Sequence, residues 1–170
     1  MKLWHGKYRG TVKGPGAPTE PPGSLMVNVP QVMGATGVRL AMPCFPYAGL
    51  ASGTFYVPPP QSAVWVEFEG GNPKKAIWVG GFYPPTSPGP PMAKVAPPGI
   101  EASVMQTTLQ NGISVIDVPG PTGGIMLRAA SGAMILINDV GITLQDGKGG
   151  IITMTGGIVS INPPNLVVLK

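Results

Sequence analysis

Glycine-centred turn signals recur along the second half of the chain at spacings of roughly seven to nine residues. They are Ser131-Gly132, Asp139 to Gly141, Asp146 to Gly149, Gly156-Gly157 and Asn162 to Pro164. Between them stand short apolar runs: AMILIN, ITLQ, IITM, IVSI and LVVL. Such runs are too short for stable helices and suit strands, whose side chains alternate between two faces. Short strands and glycine turns at a near-constant period are the mark of a β-solenoid or an intertwined β-prism. A meander of this kind has an apolar face, and the chain offers no amphipathic helix to cover it. Several copies are therefore expected to pack together.

Composition points the same way. Of 170 residues, 43% are hydrophobic and only 11% are charged, whereas globular domains carry about 25% charge. So weakly charged a surface is expected to be buried against other protein. The 26 glycines and 22 prolines fall between short β-branched runs, which makes them turns of an all-β protein rather than signs of disorder. The net charge of +4 is uneven: residues 1–100 hold eight Lys/Arg against three Asp/Glu, and residues 101–170 three against four. Lys2, Lys7, Arg9 and Lys13 form the only dense basic cluster, and a solvated face is the simpler reading of it than nucleic-acid binding.

Residues 1–83 contain five candidate strands. In GKYRGTVK, Tyr8, Gly10 and Val12 alternate with Lys7, Arg9, Thr11 and Lys13, the pattern of a half-buried strand. SLMVNVP places Leu25, Val27 and Val29 on one face, and GVRLAMP does the same with Val38, Leu40 and Met42. AVWVEFE turns Val64, Val66 and Phe68 inward and Trp65, Glu67 and Glu69 outward; KAIWVGGF follows after the turn at Gly70 to Pro73. Five short strands without helical periodicity suit a small closed barrel. The uncharged loop PYAGLASGTFYVPPP has apolar residues expected to dock rather than face solvent. From 84 to 99, prolines 84, 85, 88, 90, 91, 97 and 98 mark a semi-rigid linker, and residues 100–170 form the repeating part.

No catalytic constellation is legible. Glu67 and Glu69 are two apart on one strand and share an outward face, whereas glycosidase carboxylates flank a cleft. With Lys74 and Lys75 they gather near one hairpin end, where they suit cross-strand pairs or bridges to another subunit. His5 is the single histidine, which excludes a histidine triad or a two-histidine metal site within one chain. Cys44, the single cysteine, reads as a small buried residue within AMPCFPY. No cofactor or metal is expected. The start of the sequence lacks the apolar core of a signal peptide, so synthesis in the cytoplasm is expected, and retention there unless some machine carries the protein out.

The stretch PCFPYAG…GTFYVPPPQSAVWVEFEGGNPKKAIWVGGFY resembles the OB-fold domain of phage baseplate assembly protein V and of the type VI secretion VgrG spikes. The tail GGIMLRAASGAMILINDVGITLQDGKGGIITMTGGIVSI is similar to that family's trimeric β-prism. Two positions depart from the family pattern: Asn72 stands where an aspartate is usual, and Ala76 where a proline is. The resemblance implies an all-β chain, an N-terminal OB barrel followed by an intertwined trimeric β-prism. It implies a homotrimer serving as the central spike of a contractile phage tail or injection system, docked on a baseplate hub and driven through a target membrane. Ile135, Ile137, Ile142, Leu144, Ile152 and Met154 would face the threefold axis; Glu67, Glu69, Lys74 and Lys75 would serve the hub or subunit interface. The end at Leu166, Val167, Val168 and Leu169 would seat a PAAR-type tip protein. The alternative is an OB module for oligonucleotide or sugar, for which Trp65 is the best stacking residue.

Overall fold

A computed structural model describes residues 2–162 and the strand at 166–168. It divides into two compact units, residues 1–87 and 88–170. The chain is all-β apart from short helical turns.

In the first unit the strands are β1 (Tyr8–Pro15), β2 (Leu25–Asn28), β3 (Arg39–Pro43), the short pair β4 (Ala48–Gly49) and β5 (Ser52–Gly53), β6 (Ala63–Phe68) and β7 (Ala76–Gly81). Five of them close a barrel in the order β1-β2-β3-β7-β6. Neighbours are antiparallel except β3 and β7, which run parallel. Alternation drives this closure. Val12, Leu25, Val27, Val29, Val64, Val66 and Trp78 are wholly buried, and each such side chain contributes about 1.5–3 kcal/mol. The indole N–H of Trp78 donates to the Gly23 carbonyl at 3.0 Å, so the largest core residue leaves no unpaired donor. Asn28 is buried too, and its amide donates to the carbonyls of Gly34 and Gly37 beyond the one-turn helix α1 (Pro30–Met33).

Strand β3 turns its larger apolar side chains outward. Ala41 is fully buried, whereas Val38 and Met42 are 41% and 50% exposed. Ala41 pairs with Ala76 and Pro43 with Trp78. Ala41 shares the barrel core with the bulky Trp78, where a small side chain fits, and alternation then turns Leu40 and Met42 outward. Cys44 follows on the outward side and is exposed, not buried; its N–H donates to the Trp78 carbonyl at 3.0 Å.

The second unit is an eight-stranded antiparallel meander in sequential order. Its strands are β8 (Ala102–Gln106), β9 (Gly112–Ile116), β10 (Gly124–Arg128), β11 (Met134–Asn138), β12 (Gly141–Gln145), β13 (Ile151–Thr155), β14 (Ile158–Ile161) and β15 (Leu166–Val168). The five apolar runs read from the sequence are β11 to β15. Strands β8 to β10 escape that reading because serine, glycine and methionine dilute their β-branched character. Residues Pro91–Val95 form a 3-10 turn on the first strands; Met92 is buried there and its N–H donates to Gln106 Oε1 at 3.0 Å.

Polar side chains tie successive turns together. Asn111 Oδ1 accepts the Ala130 N–H, Asp139 Oδ2 that of Gly120, and Asn162 Oδ1 that of Ile151, at 2.8–2.9 Å. Asp146 Oδ1 accepts the N–H groups of Lys148 and Gly150. Gly141 sits at φ +146°, and a Cβ there would collide with the Met154 carbonyl. The periodic glycine is thus required by the approach of the next strand.

Candidate functional site

The register of the meander sorts its side chains cleanly. Ile135 stands opposite Leu144, which stands opposite Ile152; Ile137 stands opposite Ile142, which stands opposite Met154. Directly paired residues share a face, so all six residues expected in the prism core lie on one side of the sheet. Ile113, Val115, Ile125 and Leu127 extend that face across β9 and β10. Val159 and Ile161 extend it across β14. The opposite face is mixed: one row runs Ser114, Met126, Leu136, Thr143, Thr153 and Ser160.

Among the described residues this apolar side holds no charged residue, yet it is open in the single chain. Ile113, Ile125, Ile137 and Met154 are all between 42% and 47% exposed. A trough of about 780 Å³ is lined in part by Leu127, Ile135, Leu144, Ile152 and Ile161. The more polar face, by contrast, buries Ser114 and Ile116 within the chain. A continuous apolar face across the sheet exceeds what a soluble monomer exposes.

The barrel wall carries the charged residues. Glu67 lies on β6 and pairs with Lys7 at 2.6 Å. Glu69 does not share its strand: it opens a 3-10 turn, Glu69–Gly71, and pairs with Lys75 at 3.4 Å. Asn72 Oδ1 accepts the Lys74 N–H at 3.0 Å and shapes the turn. The hairpin end therefore gathers Glu69, Lys74 and Lys75, while Glu67 turns toward β1. Both ion pairs are exposed and add little stability.

Trp65 is half-buried and packs on Phe82 at 4.7 Å between ring centres, and the Arg9 guanidinium lies over both rings at 5.8 and 5.7 Å. An arginine already occupies the face on which a base would have to stack. The loop after β3 is not docked along its length. Phe45, Phe55 and Tyr56 pack with Trp78 in an aromatic cluster, but Leu50 at the tip of the β4–β5 hairpin is fully exposed.

His5 packs beside Gly71. Among the described residues no group of His, Cys, Asp and Glu is placed to hold a metal ion. No described helix is long and apolar enough to cross a membrane. Of the expected tip-docking residues, Leu166, Val167 and Val168 form the last strand, paired with β14, and Leu169 lies outside the described residues.

A closed barrel followed by a meander with an uncovered, uncharged apolar face defines a structural protein built to associate with copies of itself. Residues 8–83 match the family model described as the type VI secretion system/phage-baseplate injector OB domain. Residues 102–167 match the phage baseplate V C-terminal trimerisation domain. The chain belongs to the phage baseplate V family, and it is a homotrimeric structural component of a baseplate spike in a virion or injection particle. A search of curated proteins found no match.

Proposed function

We propose that three copies bury the apolar face of the meander against one another and that the resulting prism is a needle driven through a target membrane when a sheath contracts. The uncovered face of β9 to β14 carries this reading. Its six central residues, Ile135, Ile137, Ile142, Leu144, Ile152 and Met154, would face the threefold axis. A shared core of this kind transmits thrust because every strand inside it is paired to a neighbour.

The barrels would dock on a baseplate hub through the wall that bears Glu67, Glu69, Lys74 and Lys75. In the meander, β15 is the last strand of the sheet, and the segment Leu166 to Leu169 would seat a PAAR-type tip protein. The role is mechanical and needs no catalytic group. The test is to complement particles lacking this chain with wild type or with a variant carrying Ile142→Asp. Wild type should restore penetration of the target, and the variant should yield none. Penetration by particles whose spike cannot trimerise would refute the needle.

A further inference from the structure

A groove of about 590 Å³ runs along the outer wall of the barrel beside β3 and β7. It exists because β3 turns its larger apolar side chains outward. Leu40, Met42 and Ile77 give it an apolar lining, with Met42 directly opposite Ile77. Arg39, Lys74 and Lys75 stand on its rim with one carboxylate, Glu69. That carboxylate pairs with Lys75; among the described residues neither Arg39 nor Lys74 makes an ion pair. The groove is thus apolar within and cationic at its edge.

Cationic rims select carboxylates, and a methionine-lined floor adapts to an apolar side chain. The volume suits a short peptide segment rather than a flat surface. We infer that this groove is the point where the barrel grips its hub, and that the hub supplies a short acidic segment. An apolar side chain of that segment seats on Met42 and Ile77, and flanking carboxylates meet Arg39 and Lys74. This rests on the hub-docking reading above. A second copy of this chain is the poorer occupant, because its most exposed apolar element, the hairpin around Leu50, lies in a stretch from 40 to 66 without one charged residue.

Cys44 lines the groove, is exposed and is the chain's single cysteine, so its thiol reports occupancy. The test uses the full-length trimer, the purified hub protein of the same particle, and N-ethylmaleimide as the probe of Cys44. Saturating hub should slow alkylation at least tenfold. Met42→Glu, and separately Lys74→Glu, should each weaken hub binding at least tenfold while the trimer mass is unchanged. Both residues are exposed, so neither change threatens the fold. Unprotected Cys44 together with undiminished binding by both variants would overturn the groove while leaving hub docking intact. A wild-type trimer that does not bind the hub removes the docking reading and this proposal with it. Cys44 protected in the trimer before hub is added, or a trimer broken by Met42→Glu, would assign the groove to a neighbouring copy and overturn the inference.

Discussion

Replacing Ile142 by aspartate tests the shared core most directly. Ile142 lies between Ile137 and Met154 on the apolar side of the sheet, so threefold assembly would bring three new carboxyls into an apolar core. Loss of each isoleucine removes about 2–3 kcal/mol of apolar burial. Each carboxyl must also be desolvated or protonated; protonation at pH 7, from an ordinary value of about 3.9, costs about 4 kcal/mol. Summed over three copies the change is about 20 kcal/mol, which matches the ceiling of non-covalent association. No trimer should survive at neutral pH. The sign of the pH dependence follows from burial, which disfavours the charged form and raises the carboxyl's pKa in the assembled state. The assembled state then holds the proton more tightly, so assembly is favoured below the ordinary aspartate value and lost as pH rises through the raised one. Light scattering on wild type should give three times the 17.4 kDa chain mass. The variant should scatter as smaller species at pH 7.5 and regain mass near pH 3.5. Ile142→Val, at about 1 kcal/mol per copy, should stay trimeric throughout. A variant with Ile142→Asp that is fully trimeric and as heat-resistant as wild type at pH 7.5 would show that this face does not line the axis.

Further outcomes follow from local geometry. Gly141→Ala forces a Cβ against the Met154 carbonyl at a positive φ and should cost at least about 2 kcal/mol per copy, measured as a lower chemical-denaturation midpoint; an unchanged midpoint would mean that the β12–β13 approach is looser than described. The backbone N–H groups of Lys148 and then Gly150 hold the Asp146 carboxyl below its ordinary 3.8. Its depressed pKa makes the turn most secure above that value and looser as pH falls through the lowered one. Amide exchange at Lys148 and Gly150, corrected for its intrinsic pH dependence, should accelerate as pH falls below the ordinary carboxyl value, and a flat corrected profile would count against the turn. A fragment ending at Ser87 should fold as a soluble barrel with weak self-association, while one beginning at Pro88 should trimerise and outlast in heat a fragment beginning at Ile100, which lacks the buried Met92; circular dichroism and light scattering decide both. Asn28→Leu removes the amide that serves the Gly34 and Gly37 carbonyls and should lower barrel stability by about 1–3 kcal/mol, read by denaturant unfolding of that fragment.

Much of this protein was legible in one dimension, for a reason that particular residues show. Strands whose alternation sets large apolar against polar side chains declare their inner face, as Val64, Val66 and Phe68 do against Trp65 and Glu67. Glycines at near-constant spacing announced the meander, and the shared face of Ile135 to Met154 follows once strand and turn lengths set the register. Both depend on local chemistry repeated along the chain. Which face of β3 turns inward was not legible, because its larger apolar side chains, Leu40 and Met42, are the ones turned outward, and small Ala41 shares the core with Trp78, 37 positions further on in sequence. That choice exposed Cys44 and opened the groove beside Met42; separately, Lys7, just before β1, pairs with Glu67 and holds it apart from the hairpin charges. Periodicity tells a chain which residues share a side. Which side is inward depends on the volume of whatever arrives behind it, and only the closed barrel supplies that.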